Sequence, residues 1–174
     1  MGELPALEGR PIEVRFRPRL TKWRGRLLSG GRRGTEVHAG SFLRRRLVVL
    51  DDELQRNAGE LARILVHEAF HFVWLRLGNA RRVSYESLLA GERHSRARGE
   101  LGWSAERRKA GITGADVRGR TRRWREYACE SFCDTAAWLY ARGGRHAECT
   151  LAPKFRRPRR DWFSKNLVDG PLNL

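Results

Sequence analysis

Residues 58–78 read AGELARILVHEAFHFVWLRLG, and this stretch decides how the rest of the chain is read. Leu61, Ile64, Leu65, Phe72 and Leu75 recur at intervals of three and four, the spacing of an apolar helix face. Gly78-Asn79 supplies a C-terminal stop, so a helix is predicted over about 58–78. Inside it, Val66-His67-Glu68-Ala69-Phe70-His71 contains the pattern H-E-x-x-H. Four helical residues return to nearly the same direction, so His67 and His71 project from one face, one turn apart. Two imidazoles placed in this way can hold one Zn²⁺. Glu68 is rotated off that face, where it can serve as general base toward an attacking water without being a ligand itself.

A hydrolytic zinc takes three protein ligands and keeps a fourth position open. His38, His94 and His146 are the other histidines; His94 could be reached after a helical turnback, but its surroundings, GERHSRARG, read as solvated. Trp74 and Leu77 stand where an extended H-E-x-x-H-x-x-G-x-x-H pattern would place its glycine and histidine. A second helix, expected over about 116–141, carries Glu126, Glu130 and Asp134 at i, i+4 and i+8. These acids line one face, opposite a core stripe of Trp124, Tyr127, Ala128, Ser131, Phe132, Thr135 and Leu139. Three acids in a row repel one another unless a cation lies among them, and a dication would relieve that repulsion. Cys129 and Cys133 lie on the same helix and read as small buried residues, with metal ligation the alternative.

The region before these helices reads as β structure. Residues 11–17 (PIEVRFR) alternate apolar and charged side chains, the period of a half-exposed strand. Residues 22–28 suggest a weaker strand, SGGRRG at 29–34 a turn, and 35–39 and 44–50 two further strands. A small, mainly antiparallel sheet is expected. A helix is expected over 84–98. The Gly-punctuated segment 99–118 reads as surface, with Trp103 its large apolar anchor, and Gly143-Gly144 as the stop of the third helix. The basic tail 153–174 carries Trp162-Phe163, an apolar pair suited to docking on the body. The expectation is an α+β fold in one domain over 1–174: mainly β over 1–50, mainly helical over 58–142, and a basic tail over 145–174.

Composition narrows the function classes. The chain has 174 residues, 40% of them hydrophobic, and a formal net charge of +16. Sixteen aromatic residues (six Trp, seven Phe, three Tyr) argue against global disorder. No apolar run reaches the roughly 18 residues of a membrane span, and the N-terminal MGELPALEGR has neither a basic nor an apolar signal region. The three cysteines are an odd number, which argues against a disulfide framework. A cytoplasmic protein without membrane association is expected. Of 36 basic residues only Lys22, Lys109, Lys154 and Lys165 are not Arg. That excess is consistent with codon bias and implies weak, non-specific attraction to nucleic acid.

The two helices together resemble the gluzincin zinc metallopeptidases, in which H-E-x-x-H is followed on a later helix by a Glu ligand and an acid four residues on. The family's second helix reads Glu, two residues, a small residue, an acid, one residue, a large apolar residue, then a small one. Glu126, Cys129, Glu130, Phe132 and Cys133 fill those places in order. The resemblance therefore implies zinc held by His67, His71 and Glu126, with Glu130 as the acid that orients a ligand histidine. The competing register makes Glu130 the ligand and Asp134 its partner, and puts Ala136 where the large apolar residue belongs. The strand leading into the H-E-x-x-H helix (RRRLVVLDDEL) also resembles small bacterial proteases of the ImmA/IrrE type.

These resemblances imply a zincin-like fold and zinc-dependent hydrolysis of peptide bonds, with Glu68 as general base and a peptide or protein as substrate. The oxyanion-stabilising residue stays open among Tyr85, His94 and Tyr127. Strand 44–50 is the expected edge for holding an extended substrate. The alternative is a basic nucleic-acid-associated protein. It would be either a SprT-like protease, whose usual third His is missing here, or a non-catalytic module with zinc closed by Cys129 or Cys133.

Overall fold

The computed structural model describes residues 3–31, 33–141, 146–167 and 170–174. Strands β1 (Leu7–Glu8), β2 (Glu13–Arg17), β3 (Leu20–Trp23), β4 (Arg26–Ser29), β5 (Thr35–Glu36), β6 (Ala39–Phe42) and β7 (Leu47–Asp51) precede the helices. Helices α1 (Ala58–Arg76), α2 (Asn79–His94), α3 (Trp103–Lys109), α4 (Gly114–Arg118), α5 (Arg122–Tyr140) and α6 (Pro153–Asn166) follow, and β8 (Leu172–Asn173) pairs back with β1. The chain is α+β.

The β region forms three small sheets, with orders β2-β7-β6, β4-β3-β5 and β1-β8. The expected antiparallel character holds for β6–β7, β3–β4 and β3–β5, whereas β2–β7 and β1–β8 run parallel. A parallel partner needs a long crossover, and the whole β3-to-β6 excursion supplies one between β2 and β7. The single strand expected over 22–28 is a hairpin. Arg24 and Gly25 both have positive φ, the conformation of a two-residue turn whose twist matches the strands.

Strand β7 (LVVLD) is buried along its whole length because it lies in the middle of its sheet. This corrects its assignment as the substrate edge. The edges are β2 and β6, and it is β6, whose sequence AGSF has little strand propensity, that lines the cleft described below. A short 3₁₀ turn over Leu43–Arg45, closed by Arg46 in the left-handed region, folds β6 back onto β7.

Helix α1 starts at Asn57, whose Oδ1 accepts the Glu60 N–H at 3.1 Å. It is buried on two sides. Leu61, Ile64 and Phe72 pack with Val48 and Leu50 of β7, while Phe70, Val73, Trp74 and Leu77 join the main helical core. Leu65 and Leu75, expected on the buried face, are exposed, because burial between a sheet and α5 uses two faces rather than one.

All seven residues of the expected α5 stripe are buried. They meet Phe70, Tyr85, Trp162 and Phe163, with Phe132 and Phe163 stacked at 4.9 Å. The Trp162-Phe163 pair docks as expected, on α6, which begins at Pro153 and continues through Pro158. Gly143-Gly144 lies outside the described residues.

Segment 99–118 differs from its reading as a polar surface loop. It contains α3 and α4, and its anchors are Leu101, Ala105 and Ile112, while Trp103 is exposed. Ionic contacts add to this apolar hold. Glu100, fully buried, accepts from Arg159 Nη1 at 2.7 Å and Tyr127 Oη at 2.5 Å, and pairs with Lys109 Nζ at 2.9 Å. Arg159, also fully buried, pairs with Glu92 at 2.7 Å. The second helix runs over 79–94 rather than 84–98, started by Gly78 at φ 76°. Among the described residues no helix is long and apolar enough to cross a membrane.

Candidate metal centre

Helices α1 and α5 pack antiparallel, so a step of four up one helix meets a step of four down the other. His67 faces Asp134 and His71 faces Glu130. His67 Nδ1 lies 2.8 Å from Asp134 Oδ1, and its Nε2 lies 3.3 Å from Glu130 Oε2. His71 Nε2 lies 3.9 Å from the same oxygen, and its Nδ1 lies 3.4 Å from Cys129 Sγ. The two imidazole rings are 5.0 Å apart. Both Nε2 atoms and one carboxylate oxygen thus converge, each histidine being held from behind at Nδ1. That is how ligand histidines are commonly oriented.

In this geometry the favoured register leaves Glu126 apart from the histidines. Continuing the antiparallel pairing, Glu126 falls opposite Leu75, near the exposed end of α1. Its carboxylate is half exposed and accepts from Arg122 Nε at 2.6 Å, one turn away on its own helix. The structure brings Glu130 and Asp134 to the histidines, and Glu126 to neither.

In this cluster the acids and the histidines stabilise one another's charged forms. Burial opposes ionisation of Glu130, but the His67 hydrogen bond and the His71, His67 and Arg108 charges outweigh it and hold its pKa at about 2. Burial opposes protonation of His67, yet Asp134, Glu130 and Glu68 push its pKa well up. His71 is raised too, against its burial, chiefly by Cys129. A dication would replace the proton between the two Nε2 atoms and Glu130, releasing it to solvent. Two imidazoles and an ionised carboxylate are a donor set that suits zinc.

Cys133 also brings a ligand atom within 4.8 Å of His67 and His71 donors. It is fully buried in the main core, and burial together with Cys129 pushes its thiol well above the ordinary range. Glu130 is the donor already ionised and open to the cleft. A second acid–histidine group, Glu60, His146 and Glu148, surrounds the Arg63 guanidinium, which bonds both carboxylates at 2.5–3.1 Å and already supplies the positive charge.

Glu68 is buried beside the histidines, and its Oε2 accepts from Ser41 Oγ on β6. Asp134 is held in turn: its Oδ2 accepts the Ala105 N–H at 2.9 Å, from the first turn of α3. Gly102 packs directly over that carboxylate. Arg108 Nη2 bonds the outer oxygen of Glu130 at 2.9 Å. Glu68, Ser41, Arg108 and Glu130 line, with both histidines, a cleft of about 600 Å³ that has β6 on one side and α3 among its walls.

The oxyanion candidates lie elsewhere. Tyr85 is fully buried against Ser131 and Thr135, Tyr127 is committed to Glu100, and His94 is exposed at the end of α2. None lines the cleft, whereas Arg108 and Ser104 do. Sequence reasoning missed Ser41, Gly102 and Arg108. Ser41 and Gly102 carry no local signal, and Arg108 is one arginine among many. No family model, curated protein or solved structure matches this chain.

Proposed function

We propose that the chain is a zinc-dependent peptidase of zincin-like build, with His67, His71 and Glu130 as ligands and Glu68 as general base. The observation that carries this reading is the convergence of His67 Nε2, His71 Nε2 and Glu130 Oε2 on the floor of an open cleft, with Glu68 alongside. Zinc bound there would polarise a scissile carbonyl and acidify a water. Ser41 fixes Glu68 Oε2, leaving Oε1 to take a proton from that water and return it to the departing amine. Asp134 keeps the His67 proton on Nδ1, so that Nε2 presents its lone pair to the cleft.

Strand β6 pairs with β7 on one side only, among the described residues, and borders the cleft with its other edge. An extended polypeptide adding to that edge would pass over Glu68 and the histidines, which favours a peptide substrate. Three free cysteines fit a reducing compartment, in keeping with a cytoplasmic enzyme.

The test is Glu68→Gln. Zinc content and thermal stability should hold, while hydrolysis of an unfolded casein-like substrate falls by about 10²-fold or more. Equal hydrolysis by the variant and the wild type would contradict the reading.

A further inference from the structure

The charges around the cleft are unevenly distributed. Its lining includes only two carboxylates, Glu68 and Glu130, both already engaged in the chemistry of the site. Three cations stand around them: Lys22 from β3, and Arg107 and Arg108 from α3. Much of the other basic charge near the core is neutralised. Arg63 has Glu60 and Glu148, Arg120 has Glu86, and Arg159 has Glu92 and Glu100. Among the described residues Arg107, by contrast, donates only to the Trp103 carbonyl at 3.3 Å, and no carboxylate pairs with Lys22. Arg108 holds Glu130, and a dication sharing that carboxylate would weaken the arginine's claim on it. A concave wall focuses such a field on whatever enters.

Resting on the peptidase reading, we propose that the cleft selects acidic polypeptide segments, extended along β6 with their carboxylates on Lys22, Arg107 and Arg108. A nucleic-acid strand would satisfy the cations equally well. It has nothing to match the open N–H and C=O edge of β6, and that edge decides for a peptide.

The experiment measures binding rather than turnover, so its outcome is separate from that of the hydrolysis test. Zinc-loaded Glu68→Gln protein is titrated with three labelled peptides of one design, rich in Glu and Asp, in Gln and Asn, or in Lys. Fluorescence anisotropy is read at 50 and 150 mM salt, with a random single-stranded oligonucleotide as competitor. The acidic peptide should bind at least tenfold more tightly than the neutral one at 150 mM salt. Adding Lys22→Glu and Arg107→Glu, both at exposed positions, should abolish that advantage while the zinc content stays as in the parent. Equal binding of the acidic and neutral peptides would overturn the proposal. So would an acidic preference that survives the two reversals, since it would then belong to the overall charge of +16. Displacement by the oligonucleotide at matched charge, lost in the reversed variant, would assign the cleft to nucleic acid instead.

Discussion

Replacing Gly102 with Ala should damage the proposed metal centre without touching a proposed ligand. Gly102 has φ −168°, an extended conformation open to any residue, so the backbone tolerates the change. The new methyl does not fit. Its carbon would lie 2.5 and 2.6 Å from the two carboxylate oxygens of Asp134. An ordinary contact needs about 3.5 Å, so Asp134 or the start of α3 must shift by roughly 1 Å. Asp134 Oδ1 sits 2.8 Å from His67 Nδ1, and its Oδ2 accepts the Ala105 N–H at 2.9 Å, so a shift of that size breaks one bond or both.

Overpacking of this kind costs about 1–3 kcal/mol. Loss of the group behind a ligand histidine weakens metal binding by about 10–100-fold. Zinc affinity would be read by competition with a chromogenic chelator, and stability by urea denaturation. Gly111→Ala is the control, since its methyl would meet nothing nearer than the Arg108 carbonyl at 3.9 Å. It should stay within about 0.5 kcal/mol of wild type and keep its zinc affinity. Wild-type zinc affinity and stability in Gly102→Ala would refute the placement of Asp134 behind His67.

Other expectations follow from the same contacts. Arg159→Met strands Glu92 and Glu100 in the interior and should cost about 3–5 kcal/mol by urea denaturation; a loss under about 1 kcal/mol would show that the network carries little. Burial opposes ionisation of Glu100, but Arg159, Lys109 and Tyr127 outweigh it and lower its pKa below the ordinary carboxylate value. Its stabilisation is therefore fully present above about pH 4.3 and lost as pH falls through the folded value. Arg159→Met should move this acid loss to higher pH, and an unchanged acid limb would remove Glu100 from it. Ser41→Ala should keep zinc bound while lowering hydrolysis up to about tenfold, the worth of one hydrogen bond; no change would free Glu68 from Ser41. Random duplex DNA should bind more weakly than about 10⁻⁶ M at physiological salt, and tight binding that persists at high salt would favour a nucleic-acid role.

The sequence made legible whatever repeats along one element. The α5 stripe reads directly because one face of that helix is buried, and H-E-x-x-H places two histidines one turn apart whatever surrounds them. Leu65 and Leu75 misled because α1 is buried on two faces, which blurs the 3.6-residue period. The choice between Glu126 and Glu130 depends on how α1 and α5 slide past each other, and both registers put an acid at each four-residue step. Asp134 opposite His67 settles that offset, and it is a contact between helices with no trace in either one alone. Strand β6 was hidden by Gly40 and Ser41, which hold strand conformation only because β7 pairs with them. Segment 99–118 looked like surface in part because it buries a carboxylate, Glu100, and the partners from outside the segment that make this tolerable come from α5 and α6.

Metal content of the purified variants bears most directly on the central claim. The wild type should carry one zinc per chain by elemental analysis. His67→Ala, His71→Ala and Glu130→Ala should each lose it, whereas Glu126→Ala and Cys133→Ala should retain it. Stoichiometric zinc in Glu130→Ala, or its loss in Glu126→Ala, would contradict the ligand set drawn from the pairing of α1 with α5.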